Sequence, residues 1–279
     1  MTRPVTELDK SDVLWGLFGS WETLDRLLTG LTEDQWRLPT PLPDWNVHAV
    51  VSHIIGTESV LLGIATPDAD VDVFALEHVH NDAGAMNECW VRHLSGEPGA
   101  ELHKRFLAVT KERRKLLTDM SGDDWNALTQ TPAGPDSYGR FMRIRVFDCW
   151  MHEHDIRDTI GGPVSDADLR GPDSRLALDE MAASMGYVVG KLGKAPDGSR
   201  VAIELTGPLM RTIRVVVDGR AQVVDDFGGQ EPTSTIRVDG LLFTRLAGGR
   251  VKGAPSAAIE LGGDRDVAGR IVEHLNYVI

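Results

Sequence analysis

One stretch of the chain places acids and histidines at helical spacing inside an apolar segment. Asp148, His152 and Asp155 fall at positions i, i+4 and i+7, which share one face of a helix. A carboxylate and an imidazole one turn apart form half of a site for a divalent metal. Asp155 is expected to orient an imidazole through a hydrogen bond.

A third metal ligand must come from another helix, and His53 is the best candidate. It stands in the middle of an apolar helical segment, beside the small residues Ala49, Gly56 and Thr57. Three protein ligands leave a coordination position open, which is typical of a catalytic metal site. On spacing alone two other interpretations stay open. His53 is also explained as a hydrogen-bonded core histidine, and Asp148 and His152 as a simple ion pair along one helix.

The other histidines and Cys149 are predicted to have no part in the chemistry. His154 lies roughly opposite His152 on the helix and is expected to be solvated, and Cys149 is expected to be a packed core thiol. The other histidines are expected at the surface: His48, His78, His80, His93, His103 and His274. No nucleophile elbow, P-loop or dinucleotide fingerprint follows a predicted strand.

Composition excludes several classes of partner. The chain has 279 residues, two cysteines and a formal net charge of −13. This charge argues against nucleic acid and anionic membranes, which require a basic surface. Two cysteines do not form a disulfide framework, and neither a signal peptide nor a long apolar run is present. We therefore expect a cytoplasmic protein that acts on small molecules.

Hydrophobic periodicity predicts a helical first half. The predicted helices cover about residues 11–30, 47–63, 83–95, 99–120 and 139–160. Ser11 or Asp12 is the expected cap of the first helix and Asn46 of the second. Residues 38–45 are predicted to be an extended, proline-rich connector, residues 64–82 a loop or short helices, and residues 121–138 a loop. Four main helices among these five, joined by loops, predict a four-helix bundle over residues 1–165.

The second half changes character. A helix is predicted at 174–193, followed by alternating segments at 201–205, 212–217, 221–224, 234–238 and 257–261. A short helix at 241–246 and a closing helix at 264–278 complete the pattern. The chain is therefore predicted to be an α+β protein, with a smaller domain at 172–279 built on a mainly antiparallel sheet.

Four segments resemble a known family. Residues 42–58 and 145–157 resemble the metal-binding domain of mycothiol-dependent maleylpyruvate isomerases, within the DinB-like four-helix superfamily. Residues 241–250 and 259–264 are similar to that family's sterol-carrier-like second domain. The resemblance implies a divalent metal, usually zinc, held by His53, Asp148 and His152. The family's acid is typically Glu, and here it is Asp148.

The resemblance also implies a reaction. A metal-bound thiol of mycothiol becomes the nucleophile that attacks a small electrophile, and the enzyme acts as an isomerase or an S-transferase. Either Arg245 or Arg250 is implied to pair with a carboxylate of the substrate. Two alternatives are a hydrolase that uses metal-bound water and a non-catalytic protein that binds a small ligand.

Overall fold

The computed structural model describes residues 5–251 and 258–277, and the chain divides into two compact units. The first unit covers residues 1–164 and the second covers residues 165–279. In the described residues no helix is long and apolar enough to cross a membrane.

The first unit contains seven α-helices and one β-hairpin in its described part. The helices are α1 (Lys10–Leu28), α2 (Glu33–Trp36), α3 (Val47–Leu61), α4 (Asp82–Leu94), α5 (Gly99–Asp119), α6 (Gly122–Asn126) and α7 (Tyr138–Ile160). The hairpin strands are β1 (Leu128–Thr131) and β2 (Gly134–Ser137). A single 3₁₀ turn, Val73–Ala75, interrupts the long connection before α4.

Helices α1, α3, α5 and α7 form the predicted four-helix bundle. Helix α1 packs against α5 and α7, α3 packs against the same two helices, and α4 lies against α3. Large apolar side chains fill the centre, including Leu17, Trp21, Ile54 and Phe106, which are at most 1% exposed. Burial of this surface is the main force that holds the helices together.

The helix ends follow local chemistry. Asn46 caps α3 as predicted, because its side chain accepts a hydrogen bond from the Ala49 amide. The predicted cap of α1 was wrong: Asp9 takes that role by accepting a hydrogen bond from the Asp12 amide. Helix α7 ends at Gly161, whose φ of 69° suits glycine.

Two predicted loops contain more structure than expected. The segment 121–138 holds α6 and the hairpin, and the proline-rich connector 38–45 is a closed loop instead of an extended one. Pro39 forms an isolated bridge with Asn46, and the Thr40 amide donates to the Trp45 carbonyl over 3.0 Å. This loop holds Trp45 at the entrance to α3.

The second unit is a helix-covered sheet. Its helices are α8 (Pro172–Tyr187), α9 (Gly240–Ala247) and α10 (Arg265–Glu273), and a π-helical turn, Val188–Leu192, follows α8. Its strands are β3 (Arg200–Thr206), β4 (Arg211–Asp218), β5 (Arg220–Val224), β6 (Ser234–Asp239) and β7 (Ile259–Gly263).

The sheet order is β5-β4-β3-β6-β7. Only the β3–β6 pair is parallel among the described strands, so the predicted mainly antiparallel sheet and the α+β class are confirmed. The predicted fifth strand began at Ala257 and the closing helix ended at Val278, and both of these residues lie outside the described part. Helix α10 ends five residues before Val278, at Glu273.

Candidate metal centre

The bundle brings together the three residues that the sequence singled out. His53 lies on α3, and Asp148 and His152 lie one turn apart on α7. Each offers one ligand atom, and these atoms all lie within 4.8 Å of one another. In the described ranges, 5–251 and 258–277, no other group of three or more His, Cys, Asp or Glu residues meets this criterion.

The distances fit a small divalent ion. His53 Nε2 lies 3.2 Å from Asp148 Oδ2, and His152 Nε2 lies 3.6 Å from Asp148 Oδ1. Bonds of about 2.0–2.1 Å to a tetrahedral zinc place neighbouring ligand atoms about 3.3 Å apart. Two imidazoles and one carboxylate are also donors that zinc prefers. The donor set therefore fits the metal that the sequence predicts, and the assignment of these residues as ligands stays a prediction.

The two histidines differ in how their outer nitrogens are held. His152 Nδ1 lies 3.1 Å from Asp155 Oδ2, as predicted for an orienting acid. This contact favours a proton on Nδ1 and leaves the Nε2 lone pair toward Asp148. His53 Nδ1 is buried and has no hydrogen-bond partner in the part of the chain that the structure describes. Only one of the two imidazoles is thus locked by a carboxylate.

Charge at the site is set by burial and by neighbours. Burial lowers the pKa of His53 below its ordinary value, although Asp148 acts in the opposite direction. Burial also acts to lower the pKa of His152, but the Asp148 and Asp155 carboxylates raise it above its ordinary value. Burial would raise the pKa of Asp148, yet Arg145 and the two imidazoles hold that pKa well below its usual range. Asp148 is therefore anionic, and His53 is neutral, at physiological pH.

Trp45 flanks both imidazoles and was not recognised from the sequence. Its ring centroid lies 5.3 Å from that of His53 and 6.3 Å from that of His152. The two imidazoles meet edge to face at 4.9 Å. Its position in the sequence could have indicated this role, because Trp45 directly precedes Asn46, the cap of the helix that carries His53. The half-buried indole forms an aromatic wall beside the candidate ligands.

Two histidine expectations were wrong. His154 is 2% exposed because it packs edge to face against Trp150, with ring centroids 4.2 Å apart. His48 is also 2% exposed, and its Nε2 lies 2.9 Å from the Glu97 carbonyl oxygen. Both stand on helices that are buried on more than one side, so helical position alone did not predict solvent contact.

The expectation for Cys149 agrees with the structure. Its thiol is fully buried, and burial raises its pKa to about 12. A thiol with that pKa stays protonated at neutral pH and is a poor nucleophile. The two predicted arginines belong to the second unit, where Arg245 lies on α9 and Arg250 follows it. Their part in any reaction stays a prediction.

A cluster of two buried histidines and a partly exposed acid inside a helical bundle defines a class of candidate metalloproteins, here with an α+β unit after the bundle. Two family models match the chain. The family described as "Mycothiol maleylpyruvate isomerase N-terminal domain" matches residues 17–157, and "MDMPI C-terminal domain" matches residues 175–270. The chain therefore belongs to the mycothiol maleylpyruvate isomerase family, which is a family of enzymes.

Individual relatives are distant. The uncharacterized proteins MT0041 and Rv0036c, from two strains of Mycobacterium tuberculosis, are each 24% identical over 201 residues, which are 67% of this chain and 70% of each relative. A crystal structure of the mycothiol-dependent maleylpyruvate isomerase matches with a TM-score of 0.60 at 15% identity, covering 94% of this chain and 96% of that one. A histidine-to-alanine mutant of that enzyme matches with a TM-score of 0.58, at the same identity and coverage. These structural likenesses show a shared fold.

Proposed function

We propose that this protein is a metal-dependent enzyme that activates a low-molecular-weight thiol, mycothiol, for attack on a small electrophile. The reaction is an isomerisation or an S-transfer. The observation that carries the proposal is the His53–Asp148–His152 cluster, which has zinc-like spacing inside a chain of this family. The cytoplasm is the proposed compartment, because a thiol cosubstrate must be kept reduced.

The chain's own residues prepare the site for a cation. His53, Asp148 and His152 would hold the ion, and the Asp148 carboxylate supplies the single negative charge among them. Asp155 keeps the His152 imidazole in one orientation through the 3.1 Å contact. Three protein ligands leave room for an exogenous one, as in catalytic zinc sites. A divalent ion held there supplies a Lewis acid that ionises a coordinated thiol.

The thiol is proposed to come from outside the protein, since Cys89 lies on α4, outside the cluster, and Cys149 is unsuitable. Cys149 is buried, its pKa is raised to about 12, and its sulfur lies 3.7 Å from a nitrogen of Arg145 inside the bundle. A small thiol free in solution has a pKa of about 8.5 and is mostly protonated at neutral pH. The pKa of an external thiol is therefore the one that metal binding at the open position would lower to useful effect.

The substrate is proposed to carry a carboxylate. Arg245 and Arg250 remain the candidates for pairing with it, because a guanidinium binds a carboxylate through two parallel hydrogen bonds. Trp45 offers an aromatic surface beside the two histidines for the apolar part of a ligand.

A single comparison tests the reaction class. Purified protein loaded with zinc is assayed on a small unsaturated keto acid with and without mycothiol. Turnover that requires the thiol supports the proposal, and turnover that is indifferent to it supports a hydrolase that uses metal-bound water. Protein that holds no stoichiometric metal, and whose ligand binding is unchanged in His53→Ala, supports a non-catalytic binding protein.

A further inference from the structure

A row of buried charges runs from the bundle core to the candidate metal ligand Asp148. It joins Arg113 on α5, Glu58 on α3 and Arg145 on α7, and ends at Asp148. Arg113 Nε donates to one oxygen of Glu58 over 2.8 Å, and Arg145 Nε donates to the other over 2.9 Å. Buried ion pairs of this kind are costly to assemble and are weak evidence of a role in stability alone.

Arg145 is held in place by residues that lie outside the metal cluster. Its side chain is 3% exposed, and its Nε is committed to Glu58. Glu58 is in turn fixed by Arg113, whose guanidinium also donates to the Tyr138 hydroxyl over 3.1 Å. The fork of Arg145 is therefore directed at Asp148 before any ligand arrives, since a planar guanidinium fixed at one nitrogen has little freedom at the others.

The two oxygens of Asp148 are consequently unequal. Arg145 donates to Oδ2, which also lies 3.2 Å from His53 Nε2, whereas Oδ1 faces His152 Nε2 at 3.6 Å and accepts no hydrogen bond from Arg145. A carboxylate can bind a metal through one oxygen or through both. The charge-assisted hydrogen bond from Arg145 competes with a bound metal for Oδ2 of Asp148.

We propose that Arg145 is a positioning residue that restricts Asp148 to binding the metal through one oxygen, which keeps a coordination position open for the thiol. This inference rests on the proposed function, because it presupposes a metal at the cluster. A purely structural role for Arg145 predicts the opposite pattern, in which its loss releases the metal. Our proposal predicts that the metal stays, because removal of a neighbouring positive charge does not weaken cation binding.

Cobalt(II) is the probe, since its visible absorption reports coordination number and geometry. The wild type is compared with Arg145→Met, which removes the donor and the charge, and with Arg145→Lys, which keeps the charge. Arg140→Met is the matched control, because it removes a buried arginine of the same helix that pairs with Asp136 instead of Asp148. Far-UV circular dichroism checks each variant for folding, and Arg145→Lys with Arg140→Lys forms the conservative pair if a methionine variant does not fold.

The expected result separates metal binding from thiol binding. Arg145→Met should bind one cobalt per chain at least as tightly as wild type, with weaker visible absorption and roughly 10–100-fold weaker binding of a small thiol to the cobalt form. Arg145→Lys should give a spectrum and a thiol affinity between those of Arg145→Met and wild type, and Arg140→Met should resemble wild type. A wild-type spectrum and thiol affinity in the Arg145 variants would overturn the inference, as would loss of cobalt from them. Failure of the wild type itself to bind cobalt would instead contradict the proposed function.

Discussion

The Nε2 atom of His53 lies 3.2 Å from Oδ2 of Asp148, although 95 positions separate the two residues in the chain. The contact joins α3 to α7 across the bundle, and His152 completes the cluster from the same helix as Asp148. Neither helix carries the site alone. The packing of the two helices therefore determines whether a metal can bind.

The metal itself is the first prediction. Wild-type protein should contain about one zinc per chain, and His152→Ala should lose it, because two remaining ligands are too few for tight binding. Elemental analysis makes the measurement. His103→Ala is the matched control, since His103 also contacts a carboxylate, at 2.7 Å from Asp25, but lies outside the cluster. Zinc retained at full stoichiometry in His152→Ala would reject the assignment.

A second prediction concerns the acid behind His152. Asp155→Asn should lower zinc affinity by roughly 10–100-fold while the fold is preserved, because the imidazole loses the carboxylate that orients it and raises its basicity. Competition with a chromophoric chelator measures the affinity. Asp158→Asn, on the exposed side of the same helix, should bind zinc like wild type. Equal affinity in the two variants would remove Asp155 from the site.

The third prediction tests the close contact between α3 and α4. A Cβ added at Gly56 would lie 2.4 Å from Trp90 Cγ, so Gly56→Ala should destabilise the protein by about 1–3 kcal/mol. Gly19→Ala is the control, because a Cβ there meets nothing within 4 Å, and alanine should stabilise α1 by about 0.5–1 kcal/mol. Urea unfolding followed by circular dichroism measures both. A destabilisation of the same size at Gly19 would show that the Trp90 contact is not the cause.

The fourth prediction concerns acid stability. Burial would raise the pKa of Asp136, but hydrogen bonds from Thr6, Arg140 and the Ser137 amide hold it well below its usual range. A carboxyl with a depressed folded-state pKa stabilises the protein above its unfolded pKa of about 3.9 and loses this effect as pH falls toward the folded value.

Asp136→Asn should therefore be less stable than wild type at pH 7, by about 1.5–3 kcal/mol for the lost charge-assisted hydrogen bonds. The difference should shrink steadily below pH about 4. Urea unfolding of both proteins from about pH 7 down to about pH 2 gives the comparison, because the loss begins near the unfolded pKa of about 3.9 and continues below it. A difference that stays constant over this range would assign the stability to packing instead of charge.

The fifth prediction addresses the second unit. Of the variants Arg245→Lys and Arg250→Lys, one should lose thiol-dependent turnover with full zinc content, because lysine cannot form the bidentate contact with a carboxylate. Steady-state kinetics with parallel elemental analysis makes the test. Unchanged KM and kcat in both variants would remove the arginines from the proposed reaction.

Much of the fold followed from local pattern. The four bundle helices, the five strands and the Asn46 cap were predicted because apolar spacing and capping chemistry act over a few residues. The short helices α2 and α6 and the β1–β2 hairpin were missed, since four or five residues carry too little periodicity. The prediction that His48 and His154 are exposed to solvent was wrong, because aromatic neighbours cover both imidazole rings.

The sequence by itself determined that Asp148, His152 and Asp155 share one face of α7, because the helical repeat alone sets that relationship. The sequence also indicated His53 as the third candidate ligand, through its apolar surroundings and a family resemblance. Only the tertiary structure decided that His53 reaches Asp148, that Trp45 flanks both histidines, and that Glu58 ties Arg145 to Arg113. Those contacts join different helices and loops, and their geometry depends on how side chains of the whole bundle pack, which no local repeat encodes.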